Sequence, residues 1–235
     1  MIRAVVFDAV WTVMYPSPGV AEVYQSAVAR HCNLQLPTDH IRDVVDLAIR
    51  KRSTDDGLRT DESTEYRFWN QLVQSLCGDH PGRQACFEDL YHCFQRPENW
   101  RCFHDVADSI DGLQRAGVTT AIASNFDQRL HRVLDGLAPI SAVPYRFISS
   151  EIGWRKPAQS FFRHVCRHLN EDPGNVLFVG DDLKNDVLGA RRAGCQSAWI
   201  RRGGDCKISQ PAPVDTILLT ELTHLPALLK HGSSL

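Results

Sequence analysis

The chain has 235 residues, of which 43% are apolar and 23% are charged, and this composition is typical of a globular protein with a sizeable core. Acidic and basic residues number 28 and 26, so the formal net charge of −2 offers no basic field for nucleic acid or for an anionic membrane. No run approaches the roughly 18 apolar residues of a membrane span, the N-terminus lacks a signal-peptide pattern, and the eight cysteines form no C-x-x-C pair. We therefore expect a cytoplasmic protein with reduced thiols.

The chain opens on an apolar run, Ala4 to Phe7, that leads directly into the carboxylate of Asp8. A continuous β-prone run of this kind predicts a strand buried on both faces, as in a parallel sheet. Asp8 then lies at the carboxyl end of the strand, where open α/β sheets bind ligands, and it is a candidate nucleophile or metal ligand. For this stretch taken alone, an Asp that merely ends the strand in a turn is the alternative.

The segment that follows is predicted to be an insertion of helices. Two prolines and a glycine within residues 14–19 disfavour a regular helix or a central strand and predict a loop. Apolar residues then recur at helical spacing, with no convincing strand, in groups around Val28, Val45, Leu72 and Leu90. We interpret the aromatic residues here as core packing, and the mixed charges between Arg52 and Arg67 as a solvated face.

Helices and strands alternate after Pro97, where the chain returns to the first strand's domain. Predicted helices cover 105–116, 128–137, 159–169 and 186–193, and predicted strands cover 118–123, 146–149, 176–179, 197–200 and 216–219. Residues 203–213 are predicted to form a loop. Strands that alternate with helices imply crossover connections, so we predict an α/β protein with a mostly parallel sheet.

Chemically capable residues end three of the predicted strands, and a lysine precedes a proline between the last two. They are Asp8, the pair Ser124 and Asn125, Lys156, and the acidic group Asp181, Asp182 and Asp186. The carboxyl ends of parallel strands meet at one edge of a sheet, so these side chains are expected to converge.

The acidic residues suit a metal site as well as nucleophilic catalysis. An aspartate can attack phosphorus and form a transient acyl phosphate, which divides a difficult hydrolysis into two easier steps. Carboxylates held together repel one another, and a hard divalent cation relieves that repulsion, magnesium being the best fit. The predicted ligands are Asp8, a backbone carbonyl near Val10, and Asp181 or Asp186.

Ser124 and Lys156 suit the binding of a phosphoryl group. The hydroxyl of Ser124 can donate to a phosphoryl oxygen, and the ammonium of Lys156 can offset developing negative charge while it holds Asp8 ionised. Taken alone, Ser124 with Asn125 is an ordinary helix-start signal, and Lys156 is most often a surface lysine. It is their common order along alternating strands that favours a site.

These residues together resemble the haloacid dehalogenase superfamily over nearly the whole chain. The four matching motifs, in order, are Val5-Val6-Phe7-Asp8, Ala121-Ile122-Ala123-Ser124-Asn125, Lys156-Pro157, and Gly180-Asp181 with Asp186. The resemblance implies a Rossmann-like core formed by residues 1–15 and 97–235. It also implies that residues 16–96 are a helical cap domain that closes over the substrate.

Position 10 departs from the phosphatase pattern of that superfamily. Its phosphatases carry a second Asp two residues after the nucleophile, and this chain has Val10 there, followed by Trp11 where glycine is frequent. A missing general acid/base typically removes about 10²- to 10⁴-fold in rate. Three interpretations remain open: a slow or specialised magnesium-dependent phosphatase, a haloacid dehalogenase, or a catalytically weak protein that binds a phosphorylated ligand or a protein partner.

The retained acids of the last motif favour the first interpretation, since haloacid dehalogenases generally replace the first of them. We predict a magnesium-dependent hydrolase that acts on a small phosphorylated molecule through an aspartyl-phosphate. The predicted roles are nucleophile for Asp8, magnesium binding for Asp8, Val10, Asp181 and Asp186, phosphoryl binding for Ser124 and Lys156, and substrate positioning for Asn125. No nucleic acid or membrane partner is expected, and no oligomeric state is predicted.

Overall fold

The computed structural model of the protein describes residues 1–55, 57–202 and 211–230. The strands in these residues are β1 (Ala4–Phe7), β2 (Met14–Pro16), β3 (Trp100–Cys102), β4 (Thr119–Ser124), β5 (Tyr145–Ile148), β6 (Val176–Gly180), β7 (Gln196–Ile200) and β8 (Ile217–Leu219). The helices are α1 (Val20–Cys32), α2 (Thr38–Asp55), α3 (Glu62–Cys77), α4 (Arg83–Cys93), α5 (Val106–Arg115), α6 (Arg129–Asp135), α7 (Ser149–Ile152), α8 (Gln159–Leu169), α9 (Gly189–Arg192) and α10 (Leu225–Lys230). None of the helices described is long and apolar enough to cross a membrane.

Six of the described strands form a parallel sheet in the order β5-β4-β1-β6-β7-β8. Strand β1 lies in the middle, and all four of its residues are fully buried. Val5 and Phe7 pack into the hydrophobic cluster on one face of the sheet, and Ala4 and Val6 pack into the cluster on the other. The predicted α/β class and parallel sheet are therefore confirmed, because helices cover both faces of strands that carry few polar residues.

Two local predictions need correction. Residues 14–16 are not a loop, because β2 pairs antiparallel with β3 in a separate two-stranded sheet. A ladder of two strands has edges on both sides and so tolerates Pro16, which lacks an N–H. The helix predicted over 186–193 begins as a π-helical turn at Leu183–Leu188 and continues as α9. Of the loop predicted at 203–213, residues 203–210 lie outside the described residues.

Helices α1 to α4 form an insertion between β2 and β3. They enclose a hydrophobic cluster of their own, in which Val28, Ile41 and Phe87 are almost completely buried. The side chain of Asp61 accepts a hydrogen bond from the backbone N–H of Thr64 at 2.7 Å and so fixes the start of α3. The paired strands β2 and β3 are the two places where the chain passes between the sheet domain and this insertion.

The insertion contacts the sheet domain through its charged stretch, which is therefore not a solvated face throughout. The backbone N–H of Arg155 donates to the carbonyl of Leu58 at 2.8 Å, and that of Thr60 donates to the carbonyl of Gly153 at 3.3 Å. Glu65 is 2% exposed and forms a two-pronged ion pair with Arg52. A buried carboxylate requires such a partner, and the sequence does not show which charges are buried. Asp56 of this stretch lies outside the described residues.

A buried ion pair joins the start of α5 to the chain beyond β7. The carboxylate of Asp105 accepts hydrogen bonds from Arg202 at 2.9 Å and from the backbone N–H of Leu222 at 2.7 Å. Arg202 also donates twice to the carbonyl of Thr12, at 3.0 and 2.6 Å. Burial alone would raise the pKa of Asp105, but these donors hold that pKa below its ordinary value. The pair therefore connects the turn after β1 to the start of α5 and to the segment that follows β7.

Replacing Asp105 by Asn should lower the free energy of unfolding at neutral pH by about 3 kcal/mol, because Arg202 loses its buried partner. Since folding lowers the pKa of Asp105, its contribution is complete above the unfolded-state pKa of about 3.9 and is lost as the pH falls through the folded-state value. Urea denaturation across this range should therefore show the gap between D105N and the native protein closing in acid.

The exposed Asp111 on α5 provides the control, since D111N should change the free energy of unfolding by less than about 0.5 kcal/mol. Equal effects of the two substitutions would show that the ion pair of Asp105 with Arg202 contributes nothing specific.

Candidate active site

The structure brings the predicted site residues to one edge of the sheet, where three adjacent strands end. Asp8 directly follows β1, Ser124 is the last residue of β4, and Asp181 directly follows β6. Strand β1 pairs with both of the others, so these residues are neighbours in space. They line a cavity of about 210 Å³, the acidic pocket, together with Val10, Asn125, Lys156 and Asp186.

Lys156 lies at the centre of this pocket and is 2% exposed. Its ammonium donates to Asp8 Oδ1 and to Asp186 Oδ1, both at 2.6 Å, and to the carbonyl of Ala123 at 3.0 Å. Burial alone would lower the pKa of Lys156, but the two carboxylates outweigh it and raise that pKa. The lysine is therefore a charged residue that links the ends of β1, β4 and the turn after β6.

Asn125 holds the backbone of Lys156 from both sides. Its side-chain carbonyl accepts a hydrogen bond from the N–H of Lys156 at 2.8 Å, and its amide nitrogen donates to the carbonyl of Lys156 at 3.0 Å. Both polar groups of the Asn125 side chain thus contact the protein backbone. This arrangement fixes the lysine against the end of β4.

Three carboxylates surround the ammonium group. Oxygen atoms of Asp8, Asp181 and Asp186 all lie within 4.8 Å of one another. Burial raises the pKa of Asp8, although the ammonium of Lys156 opposes that rise, and burial raises the pKa of Asp186 to about 7. Burial and then the charges of Asp8 and Asp186 raise the pKa of Asp181 well above its ordinary value. The single ammonium of Lys156 cannot neutralise three ionised carboxylates. The remaining negative charge and the hard oxygen ligands fit a divalent cation such as Mg²⁺.

The turn after β6 directs Asp186 back towards the sheet. Asp182 accepts hydrogen bonds from the backbone N–H groups of Lys184 and Asn185, both at 2.8 Å. The side chain of Asp182 therefore stabilises the turn. Asp186 Oδ2 accepts from the N–H of Asp182 at 3.1 Å. A Cβ atom at Gly180 would lie 2.1 Å from Asp186 Oδ2, so only glycine fits at this position.

Trp11 adopts a backbone conformation that explains why glycine suits its position. Its φ is +65°, in the left-handed region, where a residue with a Cβ atom costs roughly 1–2 kcal/mol. The indole is 44% exposed and lines the acidic pocket beside Val10. An exposed aromatic ring on a strained backbone is thus part of the lining of the cavity that contains Asp8.

Several residues of this site could not be identified from the sequence motifs. Arg52 and Trp69 of the helical insertion and Arg155 of the sheet domain line the acidic pocket. Thr12 Oγ1 donates to Asp181 Oδ1 at 3.3 Å, and the indole of Trp199 donates to the carbonyl of Asp181 at 2.9 Å. The four superfamily motifs contain none of these residues, and only docking of the insertion brings Arg52 and Trp69 to the strand ends.

A second cavity of about 240 Å³ adjoins the first, between the insertion and the sheet domain. We call it the aromatic pocket, after the rings that line it: Trp11, Tyr24, Trp69, Phe87, Tyr91, Phe94, Trp100 and Phe126. The prediction that the insertion's aromatic residues serve as core packing holds for Phe87 and Tyr24, which are 1% and 2% exposed, but it is incomplete because both rings also line this cavity. Val10, Trp11, Ile49, Trp69 and Asn125 line both pockets.

The fold is a Rossmann-like parallel α/β sheet with a cluster of carboxylates at the ends of its strands. A family model described as haloacid dehalogenase-like hydrolase matches residues 2–194, and the chain belongs to this family of enzymes. The resemblance seen in the four motifs is therefore confirmed.

Curated relatives support this assignment. Haloacid dehalogenase-like hydrolase domain-containing protein 3 of Danio rerio is 26% identical over 239 residues, which cover 99% of this chain and 98% of that protein. N-acylneuraminate-9-phosphatase of Rattus norvegicus is 27% identical over 175 residues, which cover 73% of this chain and 68% of that protein. The family thus includes relatives named as phosphatases.

Solved structures share the fold along nearly the whole chain. L-2-haloacid dehalogenase from Xanthobacter autotrophicus superimposes with a TM-score of 0.75 at 20% identity, covering 99% of this chain and 100% of that one. The putative HAD-hydrolase YfnB from Bacillus subtilis, bound to magnesium, gives a TM-score of 0.74 at 19% identity, covering 97% and 98%. Likeness at this identity establishes the architecture alone.

Replacing Gly180 by Ala should displace Asp186 and lower the free energy of unfolding by about 1–3 kcal/mol, because the added methyl overlaps a packed carboxylate. The matched control is Gly174, where an added Cβ meets no atom of the described residues within 4 Å, and G174A should change stability by less than about 1 kcal/mol. Urea denaturation of both variants measures the difference. A G180A protein as stable as G174A would contradict the close approach of Asp186.

Proposed function

We propose that this protein is a magnesium-dependent phosphohydrolase that cleaves a small phosphorylated molecule through an aspartyl-phosphate on Asp8. The observation that carries the proposal is the contact of Lys156 Nζ with both Asp8 and Asp186 at 2.6 Å, inside a cluster that also contains Asp181. A nucleophilic carboxylate, a fixed cation and further hard oxygen ligands at one sheet edge match the needs of phosphoryl transfer.

In the proposed reaction, a carboxylate oxygen of Asp8 attacks phosphorus and the bond from phosphorus to the leaving oxygen breaks. Water then attacks the aspartyl-phosphate, which releases inorganic phosphate and restores Asp8. Lys156 opposes the rise in the pKa of Asp8 that burial causes and offsets charge on the phosphoryl group. Ser124 lies at the end of β4 in the same pocket and donates its hydroxyl to a phosphoryl oxygen.

The magnesium ligands in this proposal are Asp8, the backbone carbonyl of Val10, Asp181 and Asp186, all of which line the acidic pocket. When bound, the ion supplies a Lewis acid that offsets the charge of the transferring group. The pKa values of Asp8, Asp181 and Asp186 are all raised, and a bound cation would stabilise the ionised carboxylates. We assign Asn125 the task of positioning Lys156, since both of its polar groups contact the backbone of that residue.

We assign residues 16–96 the role of a cap that closes over the substrate. Arg52 and Trp69 of this segment line the acidic pocket, and the strands β2 and β3 form its two connections. The phosphatase names of curated relatives support a small phosphorylated substrate.

We propose a cytoplasmic location because the seven cysteines among the described residues are all free thiols, as in a reducing compartment.

A haloacid dehalogenase is the second candidate, favoured by one specific observation. Val10 offers no proton to a leaving group, and a halide needs none. The carboxylate cluster of Asp8, Asp181 and Asp186 weighs against it, because displacement of a halide by a carboxylate needs no metal. A protein that binds a phosphorylated ligand without cleaving it is the third candidate.

Purified protein should release phosphate from at least one member of a panel of phosphate esters only when magnesium is present, and chelation should remove the activity. D8N should lower kcat at least about 10³-fold, because the nucleophile is lost. The control is D172N, since Asp172 is exposed at the opposite end of β6, and its activity should stay within twofold of the native protein.

Release of chloride from 2-chloropropionate without metal would contradict the phosphatase assignment and support the dehalogenase. If the native protein is inactive in both assays, the third candidate, a protein that binds a phosphorylated ligand without cleaving it, is favoured.

Replacing Val10 by Asp should raise kcat for alkyl phosphates by about 10²-fold, because it supplies a general acid beside the leaving oxygen. V10N is the matched control, since it is polar and of similar size but donates no acidic proton, and it should give no gain. Steady-state rates with a glycerol phosphate measure both variants. If V10D shows no gain over V10N, a missing acid is not what limits the reaction.

A further inference from the structure

The aromatic pocket opens beside the nucleophile and is large enough for an aromatic group. Its volume is about 240 Å³, and apolar cavities of roughly 150 Å³ already accommodate benzene. Val10, Trp11, Trp69 and Asn125 line both this pocket and the acidic pocket, so the aromatic pocket adjoins the cavity that contains Asp8. A leaving group that extends out of the acidic pocket on this side would therefore meet the rings.

The charge of the aromatic pocket suits a neutral ligand. Among the described residues that line it, the charged side chain is Arg129, whose guanidinium donates to both carboxylate oxygens of Asp127 at 2.8 and 2.7 Å. The same guanidinium lies 3.7 Å from the centre of the Tyr91 ring and donates to the carbonyl of Tyr91. Arg129 is 4% exposed, so its charge is compensated by Asp127 and shielded by the rings. A second anionic group on the substrate would find no unbalanced cation in this pocket.

The ring of Trp11 lines this pocket, although the backbone of the residue adopts a strained conformation. Its φ of +65° favours glycine, and its indole remains 44% exposed, so burial in the core does not account for the residue. The ring stacks on Tyr15 with 6.4 Å between centroids and lines both cavities. Backbone outliers cluster at active sites and ligand-binding sites.

Val10 adds an independent restriction on the leaving group. No acidic side chain is present among the described residues that line the aromatic pocket, and position 10 itself is apolar. A departing oxygen that receives no proton from the enzyme must leave as an anion. A phenol, with a pKa near 10, tolerates this far better than a hydroxyl group whose pKa approaches the value of about 15.7 for water.

We propose that the aromatic pocket binds the leaving group of an aryl phosphate, so that the substrates are phosphate monoesters of neutral phenols. This inference rests on the proposed function. Attack by Asp8 forms the aspartyl-phosphate and breaks the bond between phosphorus and the aryl oxygen, whose electron pair leaves with the phenolate. The phenolate takes its proton from solvent, and water then hydrolyses the aspartyl-phosphate.

The experiment compares three substrates with the full chain and magnesium. Phenyl phosphate has the ring and the good leaving group, benzyl phosphate has the ring with an alkoxide leaving group, and acetyl phosphate has a good leaving group with no ring. We expect kcat/KM for phenyl phosphate to exceed that for benzyl phosphate at least 100-fold. V10D should reduce this ratio at least tenfold, because a general acid helps the alkoxide most.

Substitutions at position 11 test the pocket itself. In W11G, the ratio of kcat/KM for phenyl phosphate to that for acetyl phosphate should fall at least tenfold, while the midpoint of thermal unfolding should not fall, because glycine relieves the left-handed backbone. W11F should restore the ratio to within threefold of the native value. Y145A, at the exposed start of β5 on the opposite edge of the sheet, is the matched control and should leave the ratio unchanged.

The outcomes separate this inference from the proposed function. Hydrolysis of acetyl phosphate that depends on Asp8, with phenyl phosphate no better than benzyl phosphate or with W11G unaltered in its ratio, would overturn the aryl specificity and leave the phosphohydrolase. A native protein inactive on all three substrates would overturn both.

Discussion

The ammonium of Lys156 is the point on which the site depends. It joins Asp8 after β1 to Asp186 in the turn after β6, and it also donates to the carbonyl of Ala123 within β4. Three segments far apart in the sequence are thereby held at one place by one buried charge. Such a charge is stable only when its partners surround it, so the chain must also fix the lysine's backbone, and Asn125 does so.

The helical insertion adds what the sheet edge lacks. The sheet domain supplies charge and hydrogen bonds around Asp8, and the insertion brings apolar rings such as Trp69 over the same opening. Contacts of the loop 57–60 with Gly153 and Arg155 hold the two parts together beside the pocket. The chain belongs to a family of hydrolases, and the aromatic rings and Val10 line the cavities at the ends of its strands.

Sequence patterns predicted the α/β class well because the central strands contain continuous apolar runs, as Ala4 to Phe7 and Val176 to Val179 illustrate. They were wrong where neighbours along the chain do not determine burial. Glu65 lies in a stretch of mixed charge yet is 2% exposed, because Arg52 pairs with it. Met14–Pro16 forms a strand because Trp100–Cys102, more than 80 residues away, lies beside it.

The sequence by itself determined the order of the strands' polar ends and therefore the candidates Asp8, Ser124, Lys156 and Asp181, since parallel strands bring their carboxyl ends to one edge. Only the tertiary structure decided that the carboxylates lie within 4.8 Å of one another and that an aromatic pocket adjoins them. Distances and cavities depend on how separate elements pack, and local periodicity carries no information about contacts between segments so far apart in the chain.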